Sequence, residues 1–179
     1  MLLYYATRDG QSRRIAVRIA ERLGERGIAA EPRDLARAPP TPEALARAPL
    51  LVLVAAIRYG RHLPEAVRLL RLYAAQPARP PLAFASVNLT ARKPGKDTAE
   101  GNTYVRKTMA RHRLQPVLAA AIAGRLDYAR YRWFDRTLIR LIMRLTGGPT
   151  HRDAKVEFTD WDAVDAFAAR IAELIRTSG

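Results

Sequence analysis

The chain has 179 residues, of which 49% are hydrophobic, and it carries a formal net charge of +14. Its length predicts one domain over residues 1–179, its apolar fraction excludes disorder or a coiled coil for the whole chain, and its lack of cysteine excludes disulfides, thiolate metal sites, cysteine-bound iron–sulfur clusters and a cysteine nucleophile. The charge predicts an anionic partner such as nucleic acid, anionic lipid or an acidic small molecule, although an arginine-rich composition also fits a base bias of the genome.

Short apolar runs alternate along the chain with segments of helical period. The runs predict buried parallel strands at residues 1–6, 50–56, 82–87 and 118–124, with a short extra strand at 28–31. Helices are predicted from residue 11 to Gly27, and at about 63–75, 102–112 and 161–175. Residues 32–49 are proline-rich and predict a loose surface connection with a helical turn. The alternation indicates an α/β fold, a doubly wound five-stranded parallel sheet with helices on both faces.

No apolar stretch reaches the length of a membrane-spanning helix, and the first strand lacks the basic start of a signal peptide. A cytoplasmic protein is therefore expected. Ligands of doubly wound sheets bind outside the carboxyl ends of the strands, near the point where the strand order reverses. The loops after residues 6, 56 and 87 are the predicted site.

The loop after the first strand is a candidate phosphate site. Its residues are Thr7, Arg8, Asp9, Gly10, Gln11 and Ser12. Backbone N–H groups at the helix start, the two hydroxyls and Arg8 can converge on a phosphate, and Gly10 allows the tight turn. The loop is neither a Walker loop nor G-x-G-x-x-G, which favours a monophosphate over ATP or a dinucleotide. An ordinary helix cap by Asp9 or Ser12 is the alternative.

Two further loops bring aromatic and polar groups to the same predicted edge. The residues after the strand at 50–56 are Ile57, Arg58, Tyr59 and Gly60, and those around the end of the strand at 82–87 are Ser86, Val87, Asn88 and Leu89. Tyr59 can stack on a planar ring, and amides of the second loop can bind a ring's polar edge. Each loop alone also fits an ordinary surface loop, but together at one edge they favour a ligand site.

The whole chain resembles the menaquinone-dependent protoporphyrinogen IX dehydrogenases of bacteria, which are flavodoxin-like FMN proteins of haem biosynthesis. The matching segments are TRDGQ at 7–11, IRYG at 57–60, SVNL at 86–89, ARKP at 91–94, YRW at 131–133, LIM at 141–143, GG at 147–148 and TDW at 159–161. Ser12 stands where flavodoxins usually have Thr, and it keeps the hydroxyl. The loop tip at residues 95–97 also departs from the pattern without removing a donor.

The resemblance implies FMN as the cofactor, with residues 8–12 around its phosphate and residues from Phe84 onward around its ring. It implies that protoporphyrinogen IX loses six electrons in three two-electron steps, through the flavin, to menaquinone or another quinone. A peripheral position on the inner face of the bacterial cell membrane fits this reaction, because quinones dissolve in lipid. Homo-oligomerisation is left open.

Residues 125–155 delay the final helix and predict an insertion with its own role. The arginines that recur there every four residues are Arg132, Arg136, Arg140 and Arg144. On a helix they would form one basic stripe beside an apolar face that begins at Trp133, which predicts contact with an anionic membrane surface. Packing on the domain itself is the alternative. Arg125, Arg130 and Arg132 are candidates for binding substrate carboxylates.

Other functions have weaker support. No catalytic triad, paired carboxylates or metal cluster is evident, and His62, His112 and His151 are expected at the surface. An electron-carrier flavodoxin would be acidic, so the charge of +14 opposes it. An NAD(P)H:quinone reductase would need a nicotinamide pocket, for which no specific residue is found. Nucleic-acid binding would leave the three loops unexplained, with 7% aromatic residues offering few stacking platforms.

Overall fold

The computed structural model of the protein describes residues 1–127 and 155–177. Five parallel strands form the main sheet, and they are β1 (Leu2–Ala6), β2 (Pro32–Asp34), β3 (Leu51–Arg58), β5 (Leu82–Asn88) and β6 (Leu118–Ala123). Their order across the sheet is β2-β1-β3-β5-β6, and the short strand β4 (Arg61–His62) pairs antiparallel with β3. The predicted five-stranded parallel sheet is confirmed.

Helices cover both faces of this sheet. They are α1 (Gln11–Gly24), α2 (Pro42–Ala46), α3 (Pro64–Ala74), α4 (Thr103–His112) and α5 (Trp161–Thr177), with a 3-10 helix at Leu89–Arg92. Because successive side chains of a strand point to opposite faces, each central strand contributes to two cores. Leu3 and Val52 pack in the core with α1 and α5, whereas Tyr4 and Leu53 pack in the core with α2, α3 and α4.

The edge strand predicted at residues 28–31 is wrong, because the strand lies at Pro32–Asp34. Ile28 and Ala30 pack against the core without entering the ladder, and Leu3 is paired with Pro32 instead. Proline is tolerated there because an edge strand has one side without partners for its N–H groups. The helical turn or more that was expected within residues 32–49 is present as α2, but the start of the same segment is the strand β2, which the expectation of a loose connection missed.

The predicted insertion begins and ends in a two-stranded antiparallel ribbon, formed by β7 (Arg125–Asp127) and β8 (Lys155–Glu157). The basic stripe predicted from Arg132 to Arg144 lies outside the described residues. Among residues 1–127 and 155–177, no helix combines the length and apolar character needed to cross a membrane.

Candidate functional site

The strand order reverses at β1, which has β2 on one side and β3 on the other. Strand β3 follows β2 in the chain by crossing back over β1, so the loops after β1 and β3 leave the same edge in opposite directions. Such a switch point opens a crevice at the carboxyl ends of the strands. The loop after β5 lies beside that of β3, because β3 and β5 are neighbours. The three predicted loops therefore share one edge.

The loop between β1 and α1 turns on Gly10, whose φ is 85°. That left-handed conformation favours glycine, and it lets the Gly10 N–H donate to Thr7 Oγ1 at 3.0 Å. Within the described chain no side chain caps α1, whose N-cap residue is Gly10 itself. The alternative that Asp9 or Ser12 caps the helix is therefore wrong. The N–H groups of the first turn remain available to an anion.

Ser12 adds an unused donor at the same place. Its side chain is buried, and its Oγ has no hydrogen-bond partner among the described residues. A buried hydroxyl without a partner costs about 1–3 kcal/mol, so such a group indicates a missing acceptor. A phosphate oxygen is a suitable acceptor beside a helix N-terminus. These groups fit the phosphate of FMN.

Gln11, predicted as a cofactor contact, is bonded into the protein through its side chain. Its Nε2 donates to Thr159 Oγ1 at 2.8 Å and to Glu157 Oε1 at 3.1 Å. Burial would raise the pKa of Glu157, but hydrogen bonds from Arg14 and Gln11 outweigh burial and lower it. These hydrogen bonds connect the start of α1 to β8. The backbone N–H of Gln11 remains available to a ligand.

Two arginines connect the first loop with the end of β3 and the start of α3. Arg58 Nη1 lies 3.4 Å from Asp9 Oδ1, and Arg8 Nη2 lies 3.8 Å from Glu65 Oε2. Glu65 is buried in the first turn of α3, and its Oε1 has no hydrogen-bond partner in the described chain. No sequence motif indicated this buried carboxylate.

The loop after β3 is a hairpin, not a turn into a helix. Tyr59 and Gly60 have φ of 51° and 74°, and the flanking pairs are Ile57 with His62 and Arg58 with Arg61. Two left-handed residues between antiparallel strands make a tight hairpin turn. The Tyr59 side chain is 57% exposed, and the Arg58 guanidinium lies 5.3 Å from its ring centroid. An exposed aromatic is thereby held at the edge where a planar cofactor ring is expected.

Hydrogen bonds of buried side-chain amides fix the conformation of the loop after β5. Asn88 Nδ2 donates to the Ser86 carbonyl at 3.3 Å, and Asn88 Oδ1 accepts from the Ala91 N–H and from Asn102 Nδ2. Ser86 and Asn88 are buried, as is Val87, while Leu89 is half-buried. Their side chains therefore fix the conformation of the loop, whose backbone groups are the ones left for a ring edge.

The expectation that all three histidines lie at the surface is wrong for His62, which is buried. Its Nε2 lies 3.0 Å from Ser86 Oγ and its Nδ1 lies 3.0 Å from Thr108 Oγ1. Burial, with a smaller repulsion from His112, lowers the pKa of His62 to about 4, so the ring is neutral. His112 is half-buried, and His151 lies outside the described residues. No cluster able to hold a metal occurs in the described chain.

Of the predicted substrate or membrane contacts, Arg125 is described. It lines a cleft of about 850 Å³ with Gly10, Gln11 and Trp161, next to the phosphate loop. The remaining candidates lie outside the described residues, and they are Arg130, Arg132, Trp133, Arg136, Arg140 and Arg144.

The comparisons with known proteins agree with this arrangement. The sequence model of the flavodoxin domain matches residues 2–153. Flavodoxin 1 from Bacillus cereus superposes with a TM-score of 0.56 at 11% identity, covering 98% of this chain and 96% of that one. The rubredoxin oxygen:oxidoreductase of Desulfovibrio gigas gives a TM-score of 0.59 at 11% identity, covering 99% of this chain and 36% of that one. These two likenesses confirm the fold.

The sequence relatives are more similar. The protoporphyrinogen IX dehydrogenase [quinone] of Escherichia coli K12 is 42% identical over 174 residues, which cover 97% of this chain and 94% of that protein. The protein of the same name from Leishmania major is 37% identical, covering 97% of this chain and 74% of that protein. The chain therefore belongs to the flavodoxin domain family and, within it, to the family of the protoporphyrinogen IX dehydrogenases.

Proposed function

We propose that this chain oxidises protoporphyrinogen IX to protoporphyrin IX, with FMN as cofactor and a quinone as electron acceptor. The identity of 42% to the Escherichia coli dehydrogenase, spread over nearly the whole chain, carries the proposal. The uncapped helix start beside the unpartnered Ser12 hydroxyl independently supports a phosphorylated cofactor.

Each loop has a distinct task in this proposal. The first turn of α1, with Thr7 and Ser12, holds the phosphate, and Arg8 adds positive charge nearby. The hairpin at Tyr59 and Gly60 supports one face of the flavin ring. The loop after Asn88 offers backbone groups to its polar edge. FMN supplies reversible two-electron chemistry when bound, so the protein's part is to bind, orient and tune.

The overall reaction balances in three equal rounds. Protoporphyrinogen IX loses six electrons and six protons in total, and each of three quinones gains two electrons and two protons to become a quinol. No general base is assigned, because neutral His62 has both ring nitrogens within hydrogen-bond distance of hydroxyls inside the protein.

An anaerobic reduction experiment tests the proposal. Protoporphyrinogen IX is added to the FMN-loaded protein, and flavin bleaching and porphyrin fluorescence are followed before a quinone is added. We expect bleaching with porphyrin formation, then reoxidation that depends on the quinone. A flavin that porphyrinogen leaves oxidised, but that NADPH or a reductase reduces readily, would indicate a quinone reductase or an electron carrier instead.

We further propose that the acceptor is menaquinone and that the protein works at the inner face of the cell membrane. The four-residue spacing of arginines from Arg132 to Arg144, beside Trp133, supports this position. Because menaquinone is lipid-soluble, the protein at this position would reach it while the quinone stays in the bilayer.

Vesicle sedimentation tests the membrane contact. We expect the protein to bind vesicles that contain anionic lipid and to be released by salt, because surface attraction falls within a Debye length. The double variant Arg136→Gln/Arg140→Gln should bind less, while Arg170→Gln/Arg176→Gln on α5, with the same loss of charge, should not. Equal binding to vesicles of neutral lipid would contradict a role for the arginines.

A further inference from the structure

A groove of about 710 Å³ lies between α3 and α4, on the face of the sheet opposite α1 and α5. Its lining begins at Ile57 and Gly60, in the hairpin of the candidate site, and continues along both helices to Arg71 and His112. Because α3 and α4 both start at the carboxyl edge of the sheet, the groove runs from the cofactor loops toward the opposite edge. Its volume is within the range of small-molecule sites.

Both walls of this groove are cationic. The charged groups are Arg61, Arg68 and Arg71 from β4 and α3, and Lys107 and Arg111 from α4, and all five are exposed. The lining contains no aspartate or glutamate, and in the described chain none of the five makes an ion pair. On the other face of the sheet, by contrast, Arg14 is paired with Glu157, and Arg18 with Asp165.

The spacing of these cations destabilises the protein without a ligand, because like charges repel each other. Arg68 and Arg71 are three residues apart on one helix, and Lys107 and Arg111 are four apart on the other, so like charges are neighbours on each wall. This repulsion also affects His112. Burial lowers the pKa of His112 most, and the positive charges of Arg111 and Arg71 lower it further. A bound anion would relieve this repulsion on both walls at once.

The groove also has uncharged lining. Val67 from α3 and Tyr104 from α4 line the groove, as does Ile57 from the end of β3. Apolar and aromatic side chains suit the body of a flat hydrocarbon ligand, and guanidinium groups suit carboxylates through paired hydrogen bonds. The combination matches an apolar ring system that carries more than one carboxylate.

We infer that this groove binds the two propionate carboxylates of the tetrapyrrole substrate, with Arg68 of α3 and Lys107 of α4 as the principal contacts. The inference rests on the proposed function. The two propionates are attached to neighbouring pyrrole rings, so one side of the macrocycle is anionic. That side can enter between the two cationic walls while the remaining rings extend toward the hairpin at Tyr59. Carboxylate recognition thus belongs to α3 and α4, and the arginines after Arg130 are left for the membrane surface.

A binding titration tests the groove without turnover. FMN-loaded protein is titrated with protoporphyrin IX and with its dimethyl ester in the same detergent, and porphyrin fluorescence is followed. The groove variant is Arg68→Gln/Lys107→Gln. The control is Arg170→Gln/Arg176→Gln, which removes the same charge from α5 on the other face.

We expect the groove variant to bind the diacid about tenfold or more weakly than wild type, while its affinity for the ester is unchanged. The control should match wild type for both ligands. Unchanged affinity of the groove variant for the diacid, or an equal loss for the ester, would overturn the inference.

Turnover separates this inference from the proposed function. In the groove variant the KM for protoporphyrinogen IX should rise about tenfold with little change in kcat, because the cations bind carboxylates remote from the reacting carbons. If wild-type protein forms no porphyrin with any quinone, the proposed function fails, and the titration with the diacid and the ester still decides whether the groove binds carboxylates.

Discussion

The imidazole Nε2 of His62 lies 3.0 Å from Ser86 Oγ, which joins the hairpin after β3 to the strand that leads into the third loop. Thr108 on α4 holds the other ring nitrogen at the same distance. Two of the three candidate cofactor loops and one wall of the cationic groove are therefore connected through one buried ring.

This burial predicts a pH dependence. His62 has a pKa of about 4 in the folded protein and about 6.5 when unfolded. The unfolded state therefore takes up the proton first as the pH falls, and stability is lost from about pH 6.5 downward. We expect His62 to account for ~2 kcal/mol of lost unfolding free energy between pH 7.5 and pH 5.

We measure this contribution of His62 by urea unfolding of wild type and His62→Gln. Both proteins are unfolded at both pH values in saturating FMN. The variant keeps a donor and an acceptor but does not titrate in this range, so its free energy of unfolding should fall less on acidification. An identical fall in both proteins would assign the acid sensitivity to other groups, such as His112.

Ser12→Ala should separate cofactor affinity from stability. We expect the affinity for FMN to fall about tenfold or more, because a donor to a charged phosphate is lost. The apoprotein should be no less stable, because the hydroxyl has no partner in the described chain. Flavin fluorescence titration and urea unfolding of the apoprotein measure the two quantities.

The matched control is Thr41→Ala, which removes the hydroxyl that accepts from the Ala44 N–H at the start of α2. This variant should lose ~1 kcal/mol of stability and bind FMN normally. If Ser12→Ala lowered stability like the control and left FMN binding intact, the phosphate site would lie elsewhere.

Tyr59→Leu tests whether the exposed ring stacks on the flavin. Aromatic pairs contribute about 0.5–1.5 kcal/mol, so the dissociation constant of FMN should rise by about two- to tenfold. Tyr59→Trp should bind FMN like wild type, because it keeps a stacking face. Equal affinity of all three proteins would show that the ring does not contact the cofactor.

Gln11→Leu should destabilise the protein by about 1–3 kcal/mol, because the buried Thr159 hydroxyl and the exposed Glu157 carboxylate each lose a hydrogen-bond donor. Denaturant unfolding measures the loss. Gln76→Leu, which removes an amide that donates to the Leu72 carbonyl from just beyond the end of α3, should cost less. A loss no larger than that of Gln76→Leu would mean that the tie between α1 and β8 contributes little.

A substitution of Asp165 tests how much charge attraction contributes to the contact between α1 and α5. Hydrogen bonds from Arg18 and Arg22 hold the pKa of Asp165 far below its usual value, so their stabilisation is present at neutral pH and is lost progressively as the pH falls below about 4, where the unfolded chain takes up the proton first. We expect Asp165→Asn to lower the Tm at low salt, and the difference from wild type to shrink in 1 M NaCl. A difference that is independent of salt would indicate packing rather than charge.

The sequence was sufficient wherever local pattern and tertiary structure agree. The strand at Leu82–Asn88 is buried at every residue, and the stripe of Ile15, Ile19 and Leu23 on α1 is wholly buried, so a continuous apolar run located the strand and helical periodicity located the helix. The loop at residues 7–12 was also recognisable from sequence as a candidate phosphate site, because it places a glycine and two hydroxyls between a strand and a helix.

What the sequence missed depends on distant partners. Strand β2 has no apolar alternation, and its pairing with β1 alone makes it a strand. The left-handed Tyr59 is unusual for a residue with a side chain, so the hairpin and the burial of His62 were not expected. Gln11 reaches across 148 positions to Thr159, which no local motif could indicate.

The ribbon of β7 and β8 has an evolutionary consequence. Asp127 and Lys155 are paired partners, so the two chain positions that flank residues 128–154 lie side by side. A longer connection between ends held in this way costs little, because each doubling of a flexible loop adds only about 0.6 kcal/mol of closure entropy. Mutations there can therefore change the length and chemistry of the segment while the candidate cofactor loops, which lie at the edge of the main sheet, stay under separate selection.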